Sequence, residues 1–158
     1  MNSVTLKPIA VVKSPRFEIG DDNWGDVISI IELDASMPEE ALYEIESFSH
    51  AEIIYYFQLV PDSKIERGSR HPRNNTDLPK VGILSQRGKN RPNRLGATIV
   101  KVLKREGNQL HVQGLDAING TPVLDIKPVM REFLPREKVH QPEWAAELMK
   151  NYWNKEMT

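Results

Sequence analysis

The sequence predicts a mainly β protein, an antiparallel barrel or sandwich with a few short helices, and three observations predict it. Short runs rich in Val, Ile and aromatic residues recur along the 158 residues at lengths that suit strands. Turn residues punctuate them, with Glu106-Gly107-Asn108 and Asn119-Gly120 the clearest hairpin and turn signals. Helical periodicity is confined to two stretches, so there are no crossover helices for a doubly wound parallel sheet.

Taken in order, "KPIAVVK" (7–13) reads as a strand that Pro8 places at its start or on an edge. "VISIIEL" (27–33) is β-branched and follows a turn-rich loop. In "SMPEEALYEIESF", Ser36 and Glu39 fit a capping box, and Ala41, Leu42, Ile45 and Phe48 give a helical apolar face. "AEIIYYFQLV" (51–60) predicts a central strand stopped by Pro61. Residues 62–80 read as a long mobile loop, of a kind that is functional or disordered, and "VGIL" (81–84) as a short strand. "GATIVKVLKR" and "QLHVQGL" form a hairpin, and Val123 to Lys127 a last strand. The tail after Pro142 spaces Trp144, Leu148, Met149 and Tyr152 as a helix would, and that stripe reads as packing. One domain over 1–158 is expected, with the barrel at about 5–130 and a helical tail at about 140–154.

Hydrophobic content of 39% and charged content of 27% are those of a globular protein. The absence of cysteine excludes a disulfide framework and thiolate chemistry and suits a reducing compartment. The N-terminal apolar run is broken by Pro8, so no signal peptide or membrane span is expected, and the cytoplasm is the expected location. His50, His71, His111 and His140 show no metal-ligand spacing, so no metal is expected.

The net charge is −1, but it is segregated. Residues 1–62 hold three Lys and Arg against twelve Asp and Glu, while residues 63–105 hold twelve against two. Such a basic segment can attract a polyanion. Its densest part is "QRGKNRPNRLG" (86–96), with Arg87, Lys89, Arg91 and Arg94 beside Asn90 and Asn93. Pro92 stiffens the loop, and guanidinium forks suit phosphates and carboxylates. Alone, the loop reads either as a solvated turn or as an anion grip. A second dense stretch is "GLDAINGTPVLDIKP" (114–128), where Asp116 and Asp125 flank the turn and Lys127 shares a strand face with Asp125.

These two stretches, with "PIAVVKSP", "FSHAEIIYYF" and "HPR" in the same order, resemble the YaeB/TsaA-like (TrmO) family of S-adenosylmethionine-dependent tRNA methyltransferases. The resemblance implies a small β-barrel that binds S-adenosyl-L-methionine outside any Rossmann fold. This agrees with the missing glycine-rich fingerprint. It also implies a homodimer, tRNA as partner, and N-methylation of threonylcarbamoyladenosine next to the anticodon. Carried over residue by residue, the implied cofactor contacts are Phe57, Gln58, Arg87, Gly114, Leu115, Asp116, Ala117 and Ile118. Arg91 and Asn93 match the Arg-Pro-Asn element and either shape the pocket or face substrate, Lys127 is a further substrate candidate, and Lys89 and Arg94, which do not match, are expected as substrate contacts particular to this chain. Asp125 and Lys127 match an element where a buried ion pair or a direct role is open, and Asp116 and Asp125 are proton-acceptor candidates by residue type alone. The chain departs from the family at Gln58 (usually His), at Asn119 (usually Asp), and at Gly88, Lys89, Asn90 and Arg94 in the loop. A Pro-Arg-Gln element is absent around Phe17 to Trp24. A methyltransferase of the same fold with a non-tRNA substrate, or a non-enzymatic RNA-binding barrel, are the rival readings.

Overall fold

A computed structural model describes residues 1–154. Its strands in chain order are β1 (Ala10–Lys13), β2 (Ile28–Leu33), β3 (His50–Tyr56), β4 (Ser69–Arg70), β5 (Val81–Gly82), β6 (Leu95–Glu106), β7 (Gln109–Gln113) and β8 (Pro122–Pro128). Six of them close an antiparallel barrel in the order β1-β2-β7-β6-β3-β8, and β4 pairs with β5 as a separate ribbon. The expected mainly β barrel is therefore present. Each strand turns alternate residues inward. On β3 the inward set is Ala51, Ile53 and Tyr55, and on β2 it is Ser29, Ile31 and Leu33. These residues and Val12, Val100, Leu110, Val112, Leu115 and Val123 fill the interior. A barrel this narrow is plugged by its own side chains, so a ligand must bind at an end.

The pairing registers show which end. β3 and β1 rise toward Tyr56 and Lys13, while β2, β6 and β8 descend from Ile28, Leu95 and Pro122. The connections 14–27, 57–94 and 114–121 therefore all gather at one end. The opposite end carries the 34–49 connection and the tight β6–β7 turn, where Gly107 takes φ 60°. From β8 the chain runs out through 129–142 and returns to the first end through the helix α1 (Glu143–Met149) and residues 151–153.

Four sequence expectations need correction. The amphipathic helix over Ser36 to Phe48 does not form. Two isolated 3-10 turns, Glu39–Leu42 and Ile45–Ser47, stand there instead, separated by Glu44 at φ 70°. Ser36 does not cap a helix, because its amide donates to the Asp34 carboxylate at 2.9 Å, a local turn that competes with the box. Leu42 and Ile45 still reach the core, so their spacing served burial without a helix. β3 ends at Tyr56 rather than Val60, since the Gln58 amide turns back to the Tyr56 carbonyl at 2.9 Å. The strand expected over 81–84 stops at Gly82, and Ile83–Ser85 is a 3-10 turn. The tail helix ends at Met149, so Tyr152 is not part of it.

Candidate functional site

The site grows from one glycine. Tyr55 points into the barrel opposite Gly96 on β6, and a Cβ at Gly96 would lie 2.5 Å from the Tyr55 ring. With no side chain there, the ring lies across β6 and its hydroxyl donates to Asp116 Oδ1 at 2.9 Å. Thr98, two residues along β6 on the same inward face, also donates to Oδ1. Tyr152, from the C-terminal segment, donates to Oδ2. A carboxylate accepts only, so three hydroxyls from three parts of the chain suit it. Burial and then the Asp116 charge push the Tyr55 and Tyr152 phenols well above their ordinary range, so both keep their protons and remain donors. The Arg87 guanidinium acts weakly the other way on Tyr55.

Asp116 sits in the segment Gly114 to Ile118, which crosses the loop-bearing end of the barrel. Gly114 takes φ 87°, a conformation that glycine adopts without steric cost, and its amide donates to the Val27 carbonyl at 2.9 Å. At the far end the Asn119 amide donates to Arg16 and the Gly120 amide to Val12, each at 2.8 Å. The Asn119 side-chain oxygen accepts from the Ser14 amide at 3.1 Å. A carboxamide oxygen serves there as well as a carboxylate would, so this departure from the family pattern leaves the turn intact. Between those ends the amides of Leu115, Asp116, Ala117 and Ile118 donate to no other group among the described residues. Leu115 and Ala117 are buried. Buried amides are nearly always paired, so an unpaired run is a ready donor set for a ligand.

Other expected residues lie around Tyr55 and the strands it bridges. Phe57 packs edge-on against Tyr55 with ring centres 5.3 Å apart. Arg87 donates to the Ala97 carbonyl, next to Gly96. Gln58 adjoins Phe57 in the turn that ends β3.

The basic loop 86–96 is a built structure rather than a solvated turn. Arg91 Nη1 donates to the Gln86 carbonyl at 2.7 Å, and the Gln86 amide group ties to Arg70 and Val81 at 3.0 and 3.1 Å. Asn90 holds the Lys64 carbonyl at 2.9 Å. Arg94, at φ 52°, pairs with Asp62 and donates to the Tyr56 hydroxyl at 2.6 Å. Lys89 and Asn93 make no hydrogen bond or ion pair among the described residues.

Asp125 and Lys127 are not brought to this site. They form a 2.9 Å ion pair on the outer face of β8, with side chains 48% and 61% exposed. The pair is therefore solvated, not the buried pair that was one of the two expectations. Sequence reasoning also missed Tyr55, Thr98 and Tyr152. Their convergence depends on barrel register and on where the tail docks, and neither leaves a spacing signal in one sequence. Among the described residues no group of acidic or histidine side chains could hold a metal ion, and no helix is long and apolar enough to cross a membrane.

A run of free amides is a donor set of the kind that a ligand with acceptor atoms needs. Comparison with known proteins gives the family. The profile of the tRNA-methyltransferase O N-terminal domain matches residues 21–133. A human tRNA (adenine(37)-N6)-methyltransferase is 38% identical over 105 residues, 66% of this chain and 23% of that protein. A probable S-adenosyl-L-methionine-binding protein of Pyrococcus abyssi is 34% identical over 143 residues, 86% of this chain and 73% of that protein. The fold resembles a crystal structure of TrmO from P. aeruginosa with a TM-score of 0.73 at 23% identity, over 91% of this chain and 62% of that one. The chain thus spans about a quarter of the human relative and most of the archaeal one.

Proposed function

This chain belongs to the family of the tRNA-methyltransferase O N-terminal domain, and from that premise we propose that it is an S-adenosyl-L-methionine-dependent tRNA methyltransferase. The finer reading is N-methylation of threonylcarbamoyladenosine beside the anticodon. The observation that carries the proposal is the run of unpaired amides over Leu115 to Ile118, whose Asp116 is held by Tyr55, the residue that Phe57 packs against. The donor set fits the cofactor: amides suit the acceptor atoms of an adenine, a guanidinium suits a carboxylate, and an aromatic edge suits a flat base. When bound, the cofactor supplies an activated methyl group on a sulfonium, so no strong protein nucleophile is needed.

The chain's own work is then to align and to exclude water. Gly114 to Ile118 would hold the cofactor through backbone, with Phe57, Gln58 and Arg87 around it. Of the two candidate carboxylates, Asp116 belongs to this end of the barrel, and its three hydroxyl donors give it an anchoring role. Asp125 lies on the outer face. Lys89 and Asn93 are the loop residues open to tRNA phosphate, and Arg91 keeps N–H donors beyond the one that shapes the loop, whereas Arg94 is committed to Asp62 and Tyr56 with its Nε buried. Lys127, the remaining substrate candidate, stands on β8 with its ammonium held by Asp125 at 2.9 Å. The exposed apolar side chains of Phe133, Leu134 and Val139 support a homodimer, and the tRNA substrate supports a cytoplasmic location.

Two measurements test this. Calorimetric titration should show S-adenosylmethionine binding at micromolar levels; its absence overturns the cofactor seat. Labelled cofactor with tRNA from a strain lacking the modification should give label transfer to tRNA. Cofactor binding without transfer would overturn the tRNA reading and leave a different acceptor.

A further inference from the structure

Tyr152 stands outside the matched residues 21–133, yet it is one of the three hydroxyl donors to Asp116. It does not arrive by chance packing. Residues 151–153 lie along the 23–25 loop through three backbone hydrogen bonds: Asn23 to Asn151 at 3.0 Å, Trp24 to Tyr152 at 2.8 Å and Gly25 to Trp153 at 2.7 Å. The seat is shaped for this strap, because a Cβ at Gly25 would come within 2.1 Å of the Trp153 carbonyl. Gly25 in turn meets the amide run from the other side. Its carbonyl accepts from Gln113 Nε2 at 3.1 Å, and a Cβ on Gly114 would lie 3.9 Å from it. The strap thus reaches the Gly114 to Ile118 segment twice, through Gly25 at its start and through the Tyr152 hydroxyl at Asp116.

We propose that Tyr152 is a positioning residue for the cofactor seat: the C-terminal strap carries its hydroxyl to Asp116 and so fixes the amide run of Leu115 to Ile118. This rests on the assignment of that run as the cofactor seat. Tyr55 and Thr98 hold Asp116 Oδ1 from within the barrel, and only Tyr152 holds Oδ2 among the described residues. Without it the carboxylate can rotate about its remaining anchor, and the ordered seat becomes one of several arrangements. A ligand that needs one arrangement binds more weakly by the fraction lost.

The test compares Tyr152→Phe, Tyr152→Leu and Gly25→Ala by calorimetric titration with S-adenosylmethionine, alongside melting temperatures. Tyr152→Phe keeps the ring against Trp153 and removes only the hydroxyl. It should raise Kd about tenfold (about 1.4 kcal/mol), with a melting temperature close to the parent's. Gly25→Ala, which unseats the strap without touching Tyr152, should give a similar loss, and the double variant should be no worse than either. A merely structural role predicts the opposite pattern: Tyr152→Phe binds like the parent and only Tyr152→Leu fails. That pattern, or full affinity in Gly25→Ala, overturns the proposal. Failure of the parent chain to bind overturns the cofactor seat itself, and the proposal with it.

Discussion

Gly96 is needed because the Tyr55 ring occupies the volume a side chain would take. Gly96→Ala must push the ring off β6, and overpacking of this kind costs about 1–3 kcal/mol. Chemical denaturation should show that loss. The same variant should weaken S-adenosylmethionine binding, because the displaced phenol no longer reaches Asp116. Ile53→Ala tests the contrasting case. Ile53 is fully buried on β3, two residues before Tyr55, and its side chain carries no group that could hydrogen-bond Asp116. A cavity there costs about 2–5 kcal/mol of stability. Cofactor affinity, measured below the melting transition, should change little. Equal affinity losses in the two variants would remove the special place given to Gly96.

In the element made by residues 86–96, charge and structure are divided among neighbours. Arg91 spends a guanidinium donor on the Gln86 carbonyl, whereas Lys89 has no partner among the described residues. Lys89→Ala should therefore weaken tRNA binding and lower the slope of log K against log salt by about 0.7–0.9, the loss of one phosphate contact, without moving the melting temperature. Arg91→Ala should lower both, since it also loosens the loop. Filter binding across a salt series, with thermal melts, separates the two. This division was only partly legible in the sequence. The charge, the stiffness at Pro92 and the position between two apolar runs were readable from composition and local rules. Which arginines fold back could not be read, because their acceptors are backbone carbonyls set by the tertiary path. The same limit applies elsewhere. Runs of β-branched and aromatic residues between turn signals made the strands legible, and the family resemblance chose a barrel over a sandwich. The 36–48 stretch misled because a capping pattern competed with an Asp34 turn. Tyr152 was read as packing because its partner lies 36 residues away across the barrel end.

On the scale of the whole molecule, the shifted titrations define a window of stability. Glu32, Asp34, Glu46, Glu66 and Glu106 are all held below the ordinary carboxylate range: Glu32 chiefly by Lys13, Asp34 by Ser36, Glu46 by Arg105, Glu66 by the Gly68 amide and Glu106 by Lys104. The folded chain then binds fewer protons than the unfolded chain in that range, so stability is present above about pH 4.5 and falls as pH drops further. At the alkaline side the sign reverses. Burial and the Asp116 charge raise the Tyr55 and Tyr152 phenols, so the folded chain keeps protons that the unfolded chain releases above about pH 10. Stability is complete below that pH and declines above it, with each retained proton contributing about 1.4 kcal/mol per pH unit to the slope. Tyr152→Phe deletes one of these protons. Urea unfolding between pH 9.5 and 11 should therefore show a shallower decline in Tyr152→Phe than in the parent, by about that one-proton amount. Parallel declines would mean that the strap does not bury the Tyr152 phenol against Asp116, and would count against its positioning role as well.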